Sequence, residues 1–235
     1  MYKIDFSKPI HIHFIGIGGI SMSGLAEILH EESFTISGSD SKESDLTKTL
    51  AAKGIKVIYG QSADNITSDI DLVVYTAAIH ESNPEFAAAK AAGIPMLTRA
   101  ELLGQIMDNY DYSIAVAGTH GKTTTTSMIS EILLAAQTDP TISVGGILSS
   151  IHGNLRVGDS EYFISEACEY TNSFLNFRPR YSIILNIEAE HLDFFKDIND
   201  IRHSFREYAS NTLAGGATII NGEIDRYEEI VAGLP

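Results

Sequence analysis

The sequence contains no tryptophan and a single cysteine among its 235 residues. One cysteine, Cys168, cannot form an internal disulfide and excludes a zinc site built from several thiolates. We expect it to be a small buried side chain. The sequence also lacks an uninterrupted run of about 18 apolar residues and a secretory signal at its start. These absences indicate a cytoplasmic protein that does not insert into a membrane.

Basic residues are also few, since 16 lysines and arginines stand against 31 aspartates and glutamates, for a formal net charge of −15. A charge of this sign disfavours nonspecific binding to nucleic acid or to an anionic membrane. Any phosphate ligand must therefore be bound by a local site, because the overall charge of the protein does not attract it. Apolar residues make up 44% of the chain, which is enough for a folded core. The sequence leaves the oligomeric state open.

One pattern occurs twice: an apolar strand runs into a glycine-rich turn and then a helix. The two copies begin with strands at 10–15 and 113–117. Strand and helix candidates alternate after each copy, which predicts mostly parallel sheets. The further strands are predicted at 34–37, 56–59, 72–75, 141–144, 162–165, 182–187 and 217–221, and helices at 45–53, 84–92, 123–136 and 198–209.

The doubling predicts an α/β protein of two domains. We predict a Rossmann-like parallel-sheet domain over residues 1–107 and a P-loop-type α/β ATPase domain over residues 108–235. Another helix begins near Asp225, shortly before the sequence ends at Pro235. We therefore expect the second domain to be incomplete.

The first glycine loop, Gly16-Ile17-Gly18-Gly19, is typical of a strand end that approaches a diphosphate and leads into a helix N-terminus. The dinucleotide fingerprint expects a third glycine where this sequence has Ser21, which disfavours a nicotinamide cofactor. Asp40 lies near the position of an acidic residue that contacts a ribose. A nucleoside diphosphate fits best, and glycines that only allow tight packing are the alternative.

The second glycine loop contains Gly121-Lys122-Thr123-Thr124, which is similar to the end of a P-loop. The standard spacing requires a glycine at Val116, whereas the glycine here is Gly118. The strand before the loop and the helix after it are still the context of a phosphate-binding loop. The alternative is a plain turn between strand and helix.

Candidate metal ligands follow two other strands of the second domain. Glu166 and Glu169 come after one, and His191 comes after the next. Because the carboxyl ends of parallel strands share one edge, these side chains can approach Lys122. Carboxylate and phosphate oxygens suit Mg²⁺, whereas a histidine is a less usual ligand and His191 can instead be a surface or supporting residue.

Taken together, these motifs resemble those of the Mur ligases of peptidoglycan synthesis. The resemblance covers residues 10–222 and rests on the following segments: His13 to Gly24, Ser37 to Asp40, Gly118 to Thr126, Glu166 to Glu169, and Asn186 to Asp193. The family's phosphate loop, Gly-Thr-x-Gly-Lys-Thr, accounts for the unusual spacing. Mur ligases have a uridine-binding domain, a central ATPase domain and a C-terminal domain, and we expect this sequence to lack the last.

The resemblance implies roles for individual residues. The UDP-sugar would lie against Gly16, Ile17, Gly18, Gly19, Ile20, Ser21, Ser39, Asp40, Thr76, Ala77 and Ala78. ATP phosphates would lie against Gly118, Thr119, His120, Gly121, Lys122, Thr123 and Thr124. Thr123 and Glu166 would hold one Mg²⁺ and His191 would lie on or beside a second, and the catalytic groups would be Lys122, Glu166 and His191.

The resemblance also implies a reaction: ATP phosphorylates the carboxylate of UDP-N-acetylmuramate, and L-alanine attacks the acyl phosphate to give an amide. We expect this chain to be inactive alone. Three alternatives stay open at this point. They are a ligase that attaches a preformed tripeptide to the same sugar, a nucleotide-dependent oxidoreductase, and a noncatalytic binding module.

Overall fold

The computed structural model describes residues 2–234, which form two compact units. The first unit ends at Leu103 and the second begins at Gly104, so the division falls slightly before the domain boundary predicted at 107/108. That boundary itself stays a prediction. Within the described range, no helix combines the length and the apolar character needed to cross a membrane.

The first unit is a five-stranded parallel sheet with helices between the strands. Its elements are β1 (His11–Ile15), α1 (Ile20–Glu31), β2 (Thr35–Asp40), α2 (Asp45–Ala52), β3 (Lys56–Tyr59), a 3₁₀ turn (Ala63–Asn65), β4 (Leu72–Tyr75), α3 (Pro84–Ala92), β5 (Met96–Thr98) and α4 (Arg99–Met107), which continues past Leu103. The strand order is β3-β2-β1-β4-β5, and each neighbouring pair is parallel. The order reverses between β1 and β4, and ligands of doubly wound sheets bind at the carboxyl ends of such strands.

Local chemistry explains where the elements of this unit begin and end. The Asn83 side chain accepts hydrogen bonds from the amides of Glu85 and Phe86, and Pro84 occupies the first turn of α3. Gly93 ends the helix with φ of 70°, a conformation that glycine adopts without strain. The predicted helix at 84–92 is therefore confirmed.

The second unit is a six-stranded sheet of order β11-β10-β6-β9-β7-β8. Its elements are β6 (Tyr112–Ala117), α5 (Lys122–Ala135), β7 (Thr141–Leu148), a 3₁₀ turn (Ser149–Ile151), β8 (Gly153–Arg156), β9 (Tyr162–Glu166), a 3₁₀ segment (Tyr170–Asn176), β10 (Tyr181–Ile184), α6 (Ile198–Ser210), β11 (Ala217–Ile220) and α7 (Tyr227–Val231). All pairs are parallel except β7 with β8. The prediction of mostly parallel sheets is confirmed for both units.

Three local predictions need correction. The sequence pattern missed β5, whose three residues are too few to show an alternation, and β8, whose four residues are all only half-buried. The strand predicted at 182–187 ends at Ile184, since the chain then turns toward the second glycine loop. Cys168 is exposed rather than buried, because Ala167 and Glu169 on either side of it face inward.

Candidate functional site

The first glycine loop follows β1, and hydrogen bonds from its backbone amides fix its conformation. Gly16 has φ of +85°, and the amides of Gly16 and Ile17 both donate to the carbonyl oxygen of Ser39, at 2.8 and 2.9 Å. The amide of Gly19 donates to the carbonyl of Gly16. The amide of Gly18 donates a hydrogen bond to the side chain of Asp40 at the end of β2. The loop amides therefore fold the loop, and the next amides, in the first turn of α1, are those without intrahelical partners.

Asp40, at the end of β2, accepts the hydrogen bond from the Gly18 amide through Oδ2 at 2.9 Å. A Cβ atom on Gly18 would lie 2.7 Å from that oxygen and 2.8 Å from Cγ2 of Thr47. Glycine is therefore required at position 18 by the contact with Asp40 and α2, before any ligand is considered. The sequence placed Asp40 near a ribose, and the structure adds that it anchors the loop.

Beneath this loop lies a buried carboxylate that the sequence patterns did not single out. Glu85 is fully buried, and it accepts hydrogen bonds from the Ser39 hydroxyl and the Asn65 side-chain amide, each at 2.5 Å. His13 Nε2 lies 3.9 Å from the same carboxylate. Burial raises the pKa of Glu85, but the hydrogen bonds from Ser39 and Asn65 and the nearby His13 lower it more, so the net pKa is below its ordinary value. The Ser39 hydroxyl thus faces the core, and only its carbonyl contacts the loop.

The turn after β4 lies at the same edge of the sheet. The Thr76 hydroxyl accepts a hydrogen bond from the Ala78 amide at 3.3 Å, and its carbonyl accepts one from Ile79. Ala77 and Ala78 are exposed. Because β1 and β4 are neighbours, this turn and the first loop flank the reversal point of the sheet.

The second glycine loop connects β6 to α5 and is fastened by the segment that follows β10. The amide of His120 donates to the side-chain oxygen of Asn186 at 2.8 Å, and the Asn186 side-chain nitrogen donates to the His120 carbonyl at 3.0 Å. The Thr119 hydroxyl accepts the amide of Glu188 at 3.0 Å. Gly121, with φ of 82°, precedes α5 without any side-chain cap. The residues from 119 to 124 line an open depression of about 330 Å³.

Lys122 extends along this loop toward a buried carboxylate. Its Nζ donates to the carbonyl oxygens of Gly118 and Thr119, at 2.5 and 3.2 Å. It also lies 3.0 and 3.2 Å from the two carboxylate oxygens of Glu169. The Glu169 side chain is only 4% exposed and that of Lys122 17%, so the structure makes Glu169 the ionic partner of the loop lysine.

His191 lies on the other side of Glu169. Ligand atoms of Glu169, Glu190 and His191 lie within 4.8 Å of one another. The ring of Tyr170 packs against His191 with centroids 4.6 Å apart. The Tyr170 hydroxyl donates to Asp193 at 2.9 Å, and this hydrogen bond raises the pKa of the tyrosine. Two carboxylates and one imidazole form a donor set that can hold a divalent cation.

Glu166 and Thr123, predicted to hold a metal with His191, both lie near a glycine pair in β7. Glu166 accepts the amide of Gly145 at 2.6 Å. A Cβ atom on Gly146 would lie 3.2 Å from Cγ2 of Thr123. The two residues thus contact consecutive positions of one strand, while Glu169 is the carboxylate beside His191. Their assignment to a metal stays a prediction.

The architecture defines a class of protein. Each unit has a largely parallel sheet whose carboxyl edge carries a glycine-rich loop that leads into a helix. This is the doubly wound α/β arrangement in which phosphate groups bind at loop and helix N-terminus.

Comparison with known families narrows the class. Residues 11–111 match the Mur ligase family, catalytic domain, and residues 116–234 match the Mur ligase middle domain. The chain belongs to the Mur ligase family.

Individual relatives agree with this assignment. The chain is 99% identical over 235 residues to a UDP-N-acetylmuramate–L-alanine ligase of Agathobacter rectalis, covering 100% of this chain and 51% of that protein. It is 68% identical over 228 residues to a protein of the same name from Lachnospira eligens, covering 97% of this chain and 50% of that protein. The chain thus spans about half the length of the curated relatives it matches.

Two crystal structures are similar to this one. The UDP-N-acetylmuramate-alanine ligase of Thermotoga maritima matches with a TM-score of 0.81 and 32% identity, over 94% of this chain and 51% of that one. The UDP-N-acetylmuramate:L-alanyl-gamma-D-glutamyl-meso-diaminopimelate ligase of Neisseria meningitides matches with a TM-score of 0.84 and 29% identity, over 95% of this chain and 75% of that one.

Proposed function

We propose that this chain forms the nucleotide-binding half of an ATP-dependent ligase that joins L-alanine to UDP-N-acetylmuramate in the cytoplasm during peptidoglycan synthesis. The observation that carries the proposal is the group formed by Lys122, Glu169 and His191 beside the second glycine loop. A cation at such a loop, next to carboxylates suited to a metal, is what phosphoryl transfer requires. The names of the near-identical relative and of the other similar proteins supply the substrates.

In this proposal the first loop binds the UDP-sugar. The nucleotide would lie at the switch point between β1 and β4, with the turn at Thr76 on one side and Asp40 on the other. Asp40 has one carboxylate oxygen on the Gly18 amide and a second oxygen, Oδ1, that can accept from a ribose hydroxyl. Ser39 contributes through its backbone, since its hydroxyl is bound to Glu85.

The second loop binds ATP phosphates and supplies charge for the first chemical step. A carboxylate oxygen of UDP-N-acetylmuramate attacks the γ-phosphorus, and the bond from that phosphorus to the β–γ bridging oxygen breaks, which gives an acyl phosphate and ADP. Lys122 has to exchange its contacts with Glu169 and the loop carbonyls for phosphate oxygens. Its charge then stabilises the transferring phosphoryl group. In the second step the amine of L-alanine attacks the acyl carbon, phosphate leaves, and the amine loses a proton.

The residues present also fit a magnesium ion, because carboxylate oxygens dominate the donor set around His191. Glu169, Glu190 and His191 would hold one ion, and Thr123 with Glu166 would hold another. When bound, Mg²⁺ supplies positive charge to phosphate oxygens. The Tyr170 ring and its hydrogen bond to Asp193 keep the loop around His191 in place.

The ligase that attaches a tripeptide to the same sugar is the second candidate, since the structure from Neisseria meningitides is similar over 95% of this chain. The near-identity to alanine ligases favours the first candidate. The oxidoreductase alternative has no support from the family.

The experiment is a ligation assay on a full-length protein that carries this chain. ATP, Mg²⁺ and UDP-N-acetylmuramate are supplied with L-alanine or with the tripeptide, and the product is identified by mass. We expect ADP and product with L-alanine, and loss of turnover in Lys122→Met with UDP-sugar affinity retained. Product with the tripeptide only would select the second candidate, and full turnover in Lys122→Met would refute the role of the second loop.

A further inference from the structure

Arg99 is the only arginine before Leu103 in the sequence, and it begins α4 directly after β5. Its Nη1 donates to the hydroxyl of Ser21 at 3.1 Å. Four lysines of the same unit, Lys8, Lys48, Lys53 and Lys90, pair with carboxylates, as Lys90 does with Glu81 at 2.9 Å. Within residues 2–234, by contrast, no carboxylate lies within 4 Å of the Arg99 guanidinium. The group is therefore a cation held by a neutral hydroxyl.

The position of Arg99 places this cation beside the first loop. The parallel pairing of β1, β4 and β5 brings their carboxyl ends to one edge of the sheet. Ser21 follows the glycines of that loop at the start of α1. The contact between Ser21 and Arg99 thus joins the residues after β5 to the residues after β1.

The loop itself offers little to an anion. The four amides from Gly16 to Gly19 are already donated to Ser39, to Asp40 and within the loop, and the Asp40 carboxylate lies close by. The free amides at the start of α1 remain, and a positive side chain beside them would add the charge that the loop lacks. A guanidinium presents five N–H donors in a planar fork that fits phosphate oxygens, and Ser21 takes only one of them.

We propose that Arg99 binds the diphosphate of the UDP-sugar and that Ser21 holds its guanidinium at the first loop. This inference rests on the proposed function, and it names the charged residue of that subsite. It also explains the departure from the dinucleotide fingerprint, because a third glycine in place of Ser21 could not accept the hydrogen bond from Arg99.

The test compares UDP with uridine, which differ only in the diphosphate. Both are titrated into the chain, UDP by calorimetry and uridine by ligand-observed NMR, for the wild type, Arg99→Gln and Arg99→Lys. Lys56→Gln is the matched control, since it removes one positive charge from the opposite edge of the same sheet, at the start of β3. Circular dichroism verifies that each variant is folded.

We expect Arg99→Gln to weaken UDP binding by about tenfold, the equivalent of one charge-assisted hydrogen bond, and to leave uridine binding unchanged. The UDP affinity of Arg99→Lys should lie between those of Arg99→Gln and the wild type, and the UDP affinity of Lys56→Gln should equal that of the wild type. Equal UDP affinity in Arg99→Gln, or an equal loss for UDP and uridine, would overturn the inference while the proposed function stands. A wild-type chain that binds no UDP would overturn the proposed function and this inference with it.

Discussion

Replacing Lys122 by methionine should destabilise the second unit, because it leaves the Glu169 carboxylate buried without its cation. The ammonium lies 3.0 and 3.2 Å from the two carboxylate oxygens, and the Glu169 side chain is 4% exposed. Removing one partner of a buried ion pair costs roughly 3–5 kcal/mol. Because Lys122 keeps some contact with solvent and His191 Nε2 lies 3.6 Å from the carboxylate, we expect the lower end, about 3 kcal/mol.

A double variant separates this effect from simple loss of packing. Lys122→Met/Glu169→Gln removes both charges and should recover about 2 kcal/mol relative to Lys122→Met. Glu207→Gln is the control, because its pair with His203 in the same unit is exposed at both ends and should contribute little to stability. The free energy of unfolding is measured in urea from the hydrogen exchange of peptides from β6 and β9, which report on the second unit alone. Wild-type stability in Lys122→Met, or no recovery in the double variant, would refute the buried pair.

Three further predictions concern the first loop and the chain as a whole. Gly18→Val should lower the free energy of unfolding by about 1–3 kcal/mol, because its side chain overlaps Asp40. Gly16→Ala has open space around its Cβ but a φ of +85°, and it should cost about 1–2 kcal/mol. Equal stability of Gly18→Val and the wild type would contradict this. Glu85 has a lowered pKa in the folded protein, so the stability that it contributes is fully present above its ordinary pKa of 4.5 and is lost as the pH falls through the folded pKa. The difference in unfolding free energy between the wild type and Glu85→Gln, measured by urea unfolding, should therefore shrink below pH 4.5. A constant difference would count against an ionised Glu85. The 235-residue chain alone should form no L-alanine-dependent product from ATP and UDP-N-acetylmuramate, as checked by mass, since it spans about half the length of its relatives; turnover of about 1 per second, an ordinary enzymatic rate, would disprove this.

The sheets could be predicted because their signals are local. A buried apolar strand, a glycine turn and an amphipathic helix follow one another within about 25 residues, and the strands at Lys56–Tyr59 and Leu72–Tyr75 have the predicted bounds. The strand β8 could not be found this way. It pairs antiparallel at the sheet edge, and all four of its residues are only half-buried, so it has no alternating apolar pattern.

The candidate site could be predicted only where a motif encodes it. Both glycine loops and Lys122 were visible in the sequence, because phosphate binding by a backbone requires those residue types at that spacing. Glu85 and Arg99 were not singled out, and Asn186 was part of a motif but had no role assigned to it. They meet Ser39, Ser21 and His120 across 46, 78 and 66 positions of sequence, and such pairings arise from the register of the sheets rather than from any local pattern.

The two loops should bind different nucleotides, UDP at the first and ATP at the second. The most direct measurement is a pair of calorimetric titrations, with UDP and with ATP in the presence of Mg²⁺, on the wild-type chain, Gly18→Val and Lys122→Met. We predict that Gly18→Val loses UDP binding and retains ATP binding, because its side chain displaces Asp40 from the first loop. Lys122→Met should weaken ATP binding and leave UDP binding unchanged. Binding of neither nucleotide by the wild type, or loss of both through the same single substitution, would contradict the account.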